Sequence, residues 1–204
     1  AGEVVLSDLS DHRTAAPEAW GATPSPYQYQ YQKEELSAFC HFGPNTFEGI
    51  EWGEHYGDRT PADIFRLEND FDAETLVQTL KEAGFKKLIV TAKHHDGFCI
   101  WASEYTDYDV AGSNYKNGEG DVLAEISAAC TKYDMNMGLY LSPWDVHDPS
   151  YGYFDEDGNA LCGGNGEPLN GMTWEQVYEQ DALDYNEYYN NQLEELLGNN
   201  KYGN

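Results

Sequence analysis

Basic residues are scarce in this chain. Its 204 residues hold 11 Lys and Arg against 37 Asp and Glu, a formal net charge of −26. Such a surface repels a phosphate backbone instead of releasing its counterions, so neither nucleic acid nor an anionic membrane surface is an expected partner. Long apolar runs are also missing. A bilayer-spanning helix needs about 18–20 apolar residues in succession, and none is present. No secretory leader is visible, although the Ala1-Gly2-Glu3 start is compatible with one already removed. Cys40, Cys99, Cys130 and Cys162 lack C-x-x-C spacing and read as mostly buried free thiols; the sequence selects no disulfide pairing among them. Neither H-x-H nor H-E-x-x-H occurs, which weighs against a metal site. Asp155-Glu156-Asp157-Gly158-Asn159 invites comparison with a calcium loop, but its glycine falls two positions early and the segment reads as a solvated acidic turn.

What is plentiful is apolar and aromatic. Hydrophobic residues make up 40% of the chain and aromatic residues 14%, enough for one sizeable core. Leu88-Ile89-Val90-Thr91 is apolar and β-branched without polar alternation, the pattern of a strand buried on both faces of a parallel sheet. It runs directly into Lys93-His94-His95-Asp96-Gly97. Leu36 to Phe42 repeats the arrangement, ending in His41-Phe42-Gly43-Pro44-Asn45, and Met137 to Leu141 ends in Ser142-Pro143-Trp144-Asp145. Between the strands lie helices with Asp72 and Asp121 as N-caps and apolar stripes at Leu76, Val77, Leu80, Ala83 and at Val122, Leu123, Ile126, Ala129, Cys130. Thr60-Pro61 starts a short helix, and a last helix runs from about Trp174 to Leu197. Residues 1–26 read as an amino-terminal arm and 27–204 as the domain proper. Tyr27-Gln28-Tyr29-Gln30-Tyr31 alternates with period two, as a short strand or one aromatic face would. Residues 99–120 read as a long loop and 149–173 as a surface insertion.

The order β-α-β-α-β-α gives an α/β fold with right-handed crossovers. In such folds ligands bind beyond the carboxyl ends of the strands, where His94, His95 and Asp96 fall. Successive strand residues point to opposite faces, so His94 and His95 also admit a reading with one ring in a pocket and the other satisfied in the core. Beside Asp96 they also admit a metal-dependent hydrolase site. Glu48, Glu51 and Glu54 read first as parts of a solvated loop.

The segments Ala38-Phe39-Cys40-His41-Phe42-Gly43-Pro44-Asn45-Thr46-Phe47, Glu51-Trp52-Gly53, Thr91-Ala92-Lys93-His94-His95-Asp96-Gly97-Phe98-Cys99-Ile100-Trp101 and Gly138-Leu139-Tyr140-Leu141-Ser142-Pro143-Trp144-Asp145, in that order, resemble the α-L-fucosidases of glycoside hydrolase family 29. The Glu51-Trp52-Gly53 and Ser142 to Asp145 versions resemble the branch acting on α-1,3 and α-1,4 linked fucose. The resemblance implies the first three or so units of a (β/α)8 TIM-like barrel, a retaining exo-acting mechanism and no cofactor. It further implies that His41, Glu51, Trp52, His94, His95 and Tyr140 bind the fucose of a fucosylated oligosaccharide or glycoconjugate, in an extracellular or cell-surface setting. In the family the nucleophilic Asp ends a fourth strand, in a W-x-D-G segment, and the acid/base carboxyl follows. This chain stops at Tyr202-Gly203-Asn204, so the resemblance places both catalytic groups beyond Asn204. A non-catalytic carbohydrate-binding module is the alternative that shares the pocket.

Overall fold

The computed structural model describes residues 21–51, 59–67, 71–148 and 173–198, with Tyr151, Pro168, Gly171 and Tyr202. Contacts divide the chain between Glu35 and Leu36. In the first unit, α1 (Pro26–Glu34) takes the alternating tyrosine segment, so the strand expectation gives way to a helix. The reason is local. Ser25 caps the helix through a hydrogen bond from the Gln28 amide, the Gln28 side chain returns to the Ser25 amide at 2.8 Å, and Pro26 sits at the first helical position. Tyr27, Tyr29 and Tyr31 are all exposed.

The second unit is built on three parallel strands in sequential order: β1 (Ser37–Cys40), β2 (Lys87–Lys93) and β3 (Asn136–Leu141). Two short helices, α2 (Pro44–Glu48) and α3 (Pro61–Ile64), follow β1. The crossovers are α4 (Ala73–Glu82), capped by Asp72 through the Thr75 amide at 2.9 Å, and α5 (Val122–Lys132), capped by Asp121 through the Ala124 amide at 2.8 Å. Their apolar stripes meet the sheet: Val77, Val122, Leu123 and Ile126 join Leu88, Val90 and Ala92 in one core, with Ala38, Cys40, Met137 and Leu139 packed against it. The alternate residues face the other way. There Phe39 meets the Tyr140 ring at 5.9 Å and stays 54% exposed.

Residues 99–120 are not a free loop. Cys99 forms bridges to Lys93 and Asp109, and Ile100, Trp101, Tyr108, Val110 and Tyr115 are buried, so most of the aromatic residues of this segment are core, with Tyr105 left exposed. The last helix, α6 (Trp174–Leu197), clamps the segment through Glu195. Its carboxylate accepts Trp101 Nε1–H at 2.8 Å, the Ser103 hydroxyl at 2.9 Å and the Glu104 amide at 2.7 Å. Cys40, Cys99 and Cys130 are free thiols, and Cys162 lies outside the described residues.

Glu195→Ala strands three donors, one of them on a fully buried indole. A loss of about 2–4 kcal/mol in denaturant unfolding is expected. Glu187→Ala, on an exposed position of the same helix, should stay within about 0.5 kcal/mol.

Candidate active site

The three strands deliver their carboxyl ends to one place. His41 follows β1 directly, and its backbone exit is held by Thr91 of β2, whose hydroxyl accepts the Phe42 amide at 3.0 Å and donates to the Phe42 carbonyl at 3.1 Å. On the other side of β2 the register slips between Thr91 and Lys93, against Tyr140 and Leu141 of β3. The irregularity falls just before His94, and the chain turns at once afterwards, with the Gly97 amide donating to the His94 carbonyl at 3.0 Å. Strict alternation therefore no longer applies at His94 and His95. Their rings lie 4.2 Å apart, both half-buried, and neither is lost to the core. The His41 ring is 4.4 Å from His94, and Tyr140 stacks beside His94 at 5.9 Å.

His95 is fixed on a second side by the turn after β3. Its Nδ1 lies 2.6 Å from the Ser142 hydroxyl, its ring 4.7 Å from the Trp144 ring, and its carbonyl accepts the Val146 amide at 3.0 Å. Ser142 is in turn held by Trp144, accepting from its amide at 3.1 Å and donating to its carbonyl at 2.7 Å. Ser142 and Trp144 were not singled out as site residues from the sequence, although both stood in the motif that carried the resemblance. Lys93, Asp145 and Gln192, which meet in a buried cluster at the end of β2, were missed as well. The available signal was a polar Gln192 on the inward stripe of α6, in line with Tyr185, Tyr189 and Leu196.

The acidic candidates divide. Glu51 is exposed, and its backbone carbonyl accepts from the Asn45 side chain at 3.3 Å. Asn45 also donates to Asp96 at 3.1 Å, which ties the Glu51 turn to the end of β2. Glu48 is more than a solvated loop residue: it pairs with Arg59 at 2.8 Å and Arg66 at 2.9 Å. Trp52, Glu54 and the acidic turn at 155–159 lie outside the described residues.

Burial sets the charge states. It holds His94 down to about 4, with the neighbouring His95 and His41 adding to the effect, and it lowers His95 in the same way. The His94 ring is therefore neutral near pH 7, able to donate from one nitrogen and accept at the other. Among the described residues its buried Nδ1 has no hydrogen-bond partner. Burial pushes the Asp96 carboxyl the opposite way, up to about 7, with Asp145 reinforcing the rise and hydrogen bonds from the Phe98 amide and Asn45 opposing it. Asp96 and Asp145 are both committed, Asp96 to Phe98 and Asn45 and Asp145 to Lys93.

These shifts have opposite consequences for stability. A carboxyl that ionises near 3.9 when unfolded and near 7 when folded gives stability that is complete below about pH 4 and is lost as pH rises to about 7. A histidine shifted from about 6.5 to about 4 gives stability that is complete above about 6.5 and is lost on acidification. Asp96→Asn removes the first effect only. Its urea midpoint should therefore gain on that of the native protein between pH 4.5 and 7.5, by a difference of order 2–4 kcal/mol in stability. A difference constant with pH would mean that Asp96 stays ionised throughout.

Residues 10–204 match the family profile described as alpha-L-fucosidase. Alpha-L-fucosidase 1 of Arabidopsis thaliana is 42% identical over 180 residues, covering 88% of this chain and 29% of that protein. A family 29 fucosidase of Ruminococcus gnavus, solved in complex with fucose, is 64% identical with a TM-score of 0.78, over 94% of this chain and 35% of that one. A mutant of it, also with fucose, gives 67% identity and a TM-score of 0.74 over 89% and 33%. The chain thus spans 29–35% of the length of these relatives and corresponds to their amino-terminal part. With a profile match over nearly its whole length and these identities, the chain belongs to the α-L-fucosidase family, glycoside hydrolase family 29.

Proposed function

We propose that this chain carries the fucose-binding part of a retaining, exo-acting α-L-fucosidase that removes terminal α-1,3 or α-1,4 linked L-fucose from glycans. The observation that carries the reading is the meeting of His41, His94, His95 and Tyr140 at the carboxyl ends of three parallel strands. A sugar is neutral and presents hydroxyls that both donate and accept. Imidazoles and a phenol match that demand, and their ring faces suit the apolar side of a pyranose. Within the same proposal Glu51 and Trp52 reach the sugar from the loop after β1. The fucose bound to the Ruminococcus gnavus relatives supports a fucosylated oligosaccharide or glycoconjugate as the substrate. Such glycans are met at and beyond the cell surface, and the same reading puts the protein there.

The architecture we propose is a (β/α)8 barrel of which residues 27–204 form the first part. Sequential strand order with α4 and α5 in one core on the same face supports it, because each right-handed crossover then adds a strand in one direction. Phe39 and Tyr140, on the opposite face, take the place of residues that fill a barrel interior. Retention requires a nucleophilic carboxylate and an acid/base carboxyl about 5 Å apart. Asp96 and Asp145 are buried in other bonds, which supports a nucleophile and an acid/base contributed by sequence following Asn204.

Full-length protein should release L-fucose from an aryl α-L-fucoside with retention, visible by NMR as the first-formed anomer, and EDTA should leave the rate unchanged. Fucose binding without release would favour a non-catalytic sugar-binding module, and loss of activity on chelation would favour a metal-dependent hydrolase. Preference for Lewis-type trisaccharides over α-1,2 fucosides tests the linkage assignment. His95→Ala removes a polar partner worth about 1–3 kcal/mol, so kcat/KM should fall about 5- to 150-fold. An unchanged value would make His95 structural. The 204-residue chain alone should show no turnover.

A further inference from the structure

Lys93 ends β2 immediately before His94 and His95, yet its side chain is 0% exposed and that of Asp145, its partner at 3.0 Å, is 1% exposed. The ammonium also donates to Gln192 Oε1 at 2.8 Å and to the Tyr185 hydroxyl at 3.4 Å, both on α6. Rings of Tyr185, Tyr188 and Tyr189 surround it at 5.5, 4.9 and 5.6 Å. Asp145 spends its other oxygen on the amides of His147 and Asp148, at 3.0 and 2.9 Å. The pair lies close under the β2 turn: a Cβ on Gly97 would come within 2.4 Å of Asp145 Oδ1.

Stability alone does not explain this arrangement. Desolvating two charges costs several kcal/mol per ion, and well-packed apolar residues of similar volume commonly serve the fold as well or better. The pair does something that apolar residues would not, which is to fix direction. Lys93 sets the start of the segment bearing His94 and His95. Asp145 closes the segment whose Ser142 and Trp144 hold the His95 ring.

We infer that the Lys93–Asp145 pair, tied to α6 through Gln192, is a positioning lock: side chains buried at the end of β2 hold the His95 ring in the orientation that receives a sugar hydroxyl. The kinetic side of this inference rests on the fucoside reading; the orientation of the ring does not. Lys93 and Asp145 are positioning residues, acting through His95.

The test is Lys93→Met combined with Asp145→Asn in the full-length protein, which removes both charges and keeps an acceptor for the His147 and Asp148 amides. Three measurements are made: cooperative unfolding, kcat and KM on an aryl α-L-fucoside with L-fucose binding by calorimetry, and the NMR titration of the His95 imidazole. A lock predicts a folded variant whose kcat/KM falls at least tenfold, with L-fucose binding weakened by a similar factor. It also predicts a His95 titration that moves from its lowered position toward the ordinary histidine range. A folded variant with native kinetics and an unmoved His95 titration overturns the inference. If the double variant does not fold, Gln192→Ala, which removes the Gln192 bonds to Lys93 and Cys99 and leaves the Tyr185 contact and the Lys93–Asp145 pair in place, is measured instead: a shifted His95 titration supports the lock, and an unmoved one overturns it. Should the native protein neither bind L-fucose nor cleave the fucoside, the functional reading fails, and the His95 titration alone then decides the lock by the same criterion.

Discussion

Parallel pairing is the constraint from which the rest of this structure follows. A parallel strand cannot return through a tight turn, so β1, β2 and β3 are joined by crossovers, and all three carboxyl ends emerge along one edge of the sheet. The helices must then lie against the sheet, where the stripes of α4 and α5 bury Leu88, Val90 and their neighbours. At the carboxyl edge, beyond the ends of the strands, the sequence is free to be polar. That is why His41, His94 and His95, separated by about fifty residues of chain between the first and the second, meet within ring-contact distance.

Burial and charge are balanced differently at the surface and at that edge. The chain carries a net charge of −26, and among the described residues Asp72 and Asp121 cap the starts of α4 and α5. At the end of β2 the logic reverses. Lys93 and Asp145 are withdrawn from water together, Asp96 is driven toward its neutral form, and His94 is kept neutral. In the proposed reading, groups that both donate and accept suit a neutral ligand, and the buried pair supplies orientation without placing a net charge at the sugar.

The loop regions divide by the same rule. Residues 99–120 look like connecting sequence because Trp101, Tyr105, Tyr108 and Tyr115 show no period of two or 3.6. Yet three of these four aromatics are buried, and Glu195 supplies acceptors for the backbone and side-chain donors at 101–104. A segment without regular structure can be core when a distant helix satisfies its polar groups. The tyrosines of α1 show the reverse: an alternating pattern that resembles a strand is overruled by a Ser25–Gln28 capping box and Pro26.

The sequence by itself determined the positions of the three strands, the two capped crossover helices, the last helix and the polar groups that end each strand, because all of these are written in local periodicity and cap chemistry; of the strands only β2 is buried. It also carried the motif order that marks the family. Only the tertiary structure decided that both His94 and His95 face the cluster, since the irregular register of β2 against β3 depends on pairing between strands about fifty residues apart. Only the tertiary structure brought Lys93 to Asp145 and Gln192, residues separated by 52 and 99 positions. A lysine at a strand end reads as solvated until a carboxylate and a ring of tyrosines from elsewhere in the chain enclose it. Such partnerships are set by packing over distance, which no local pattern records.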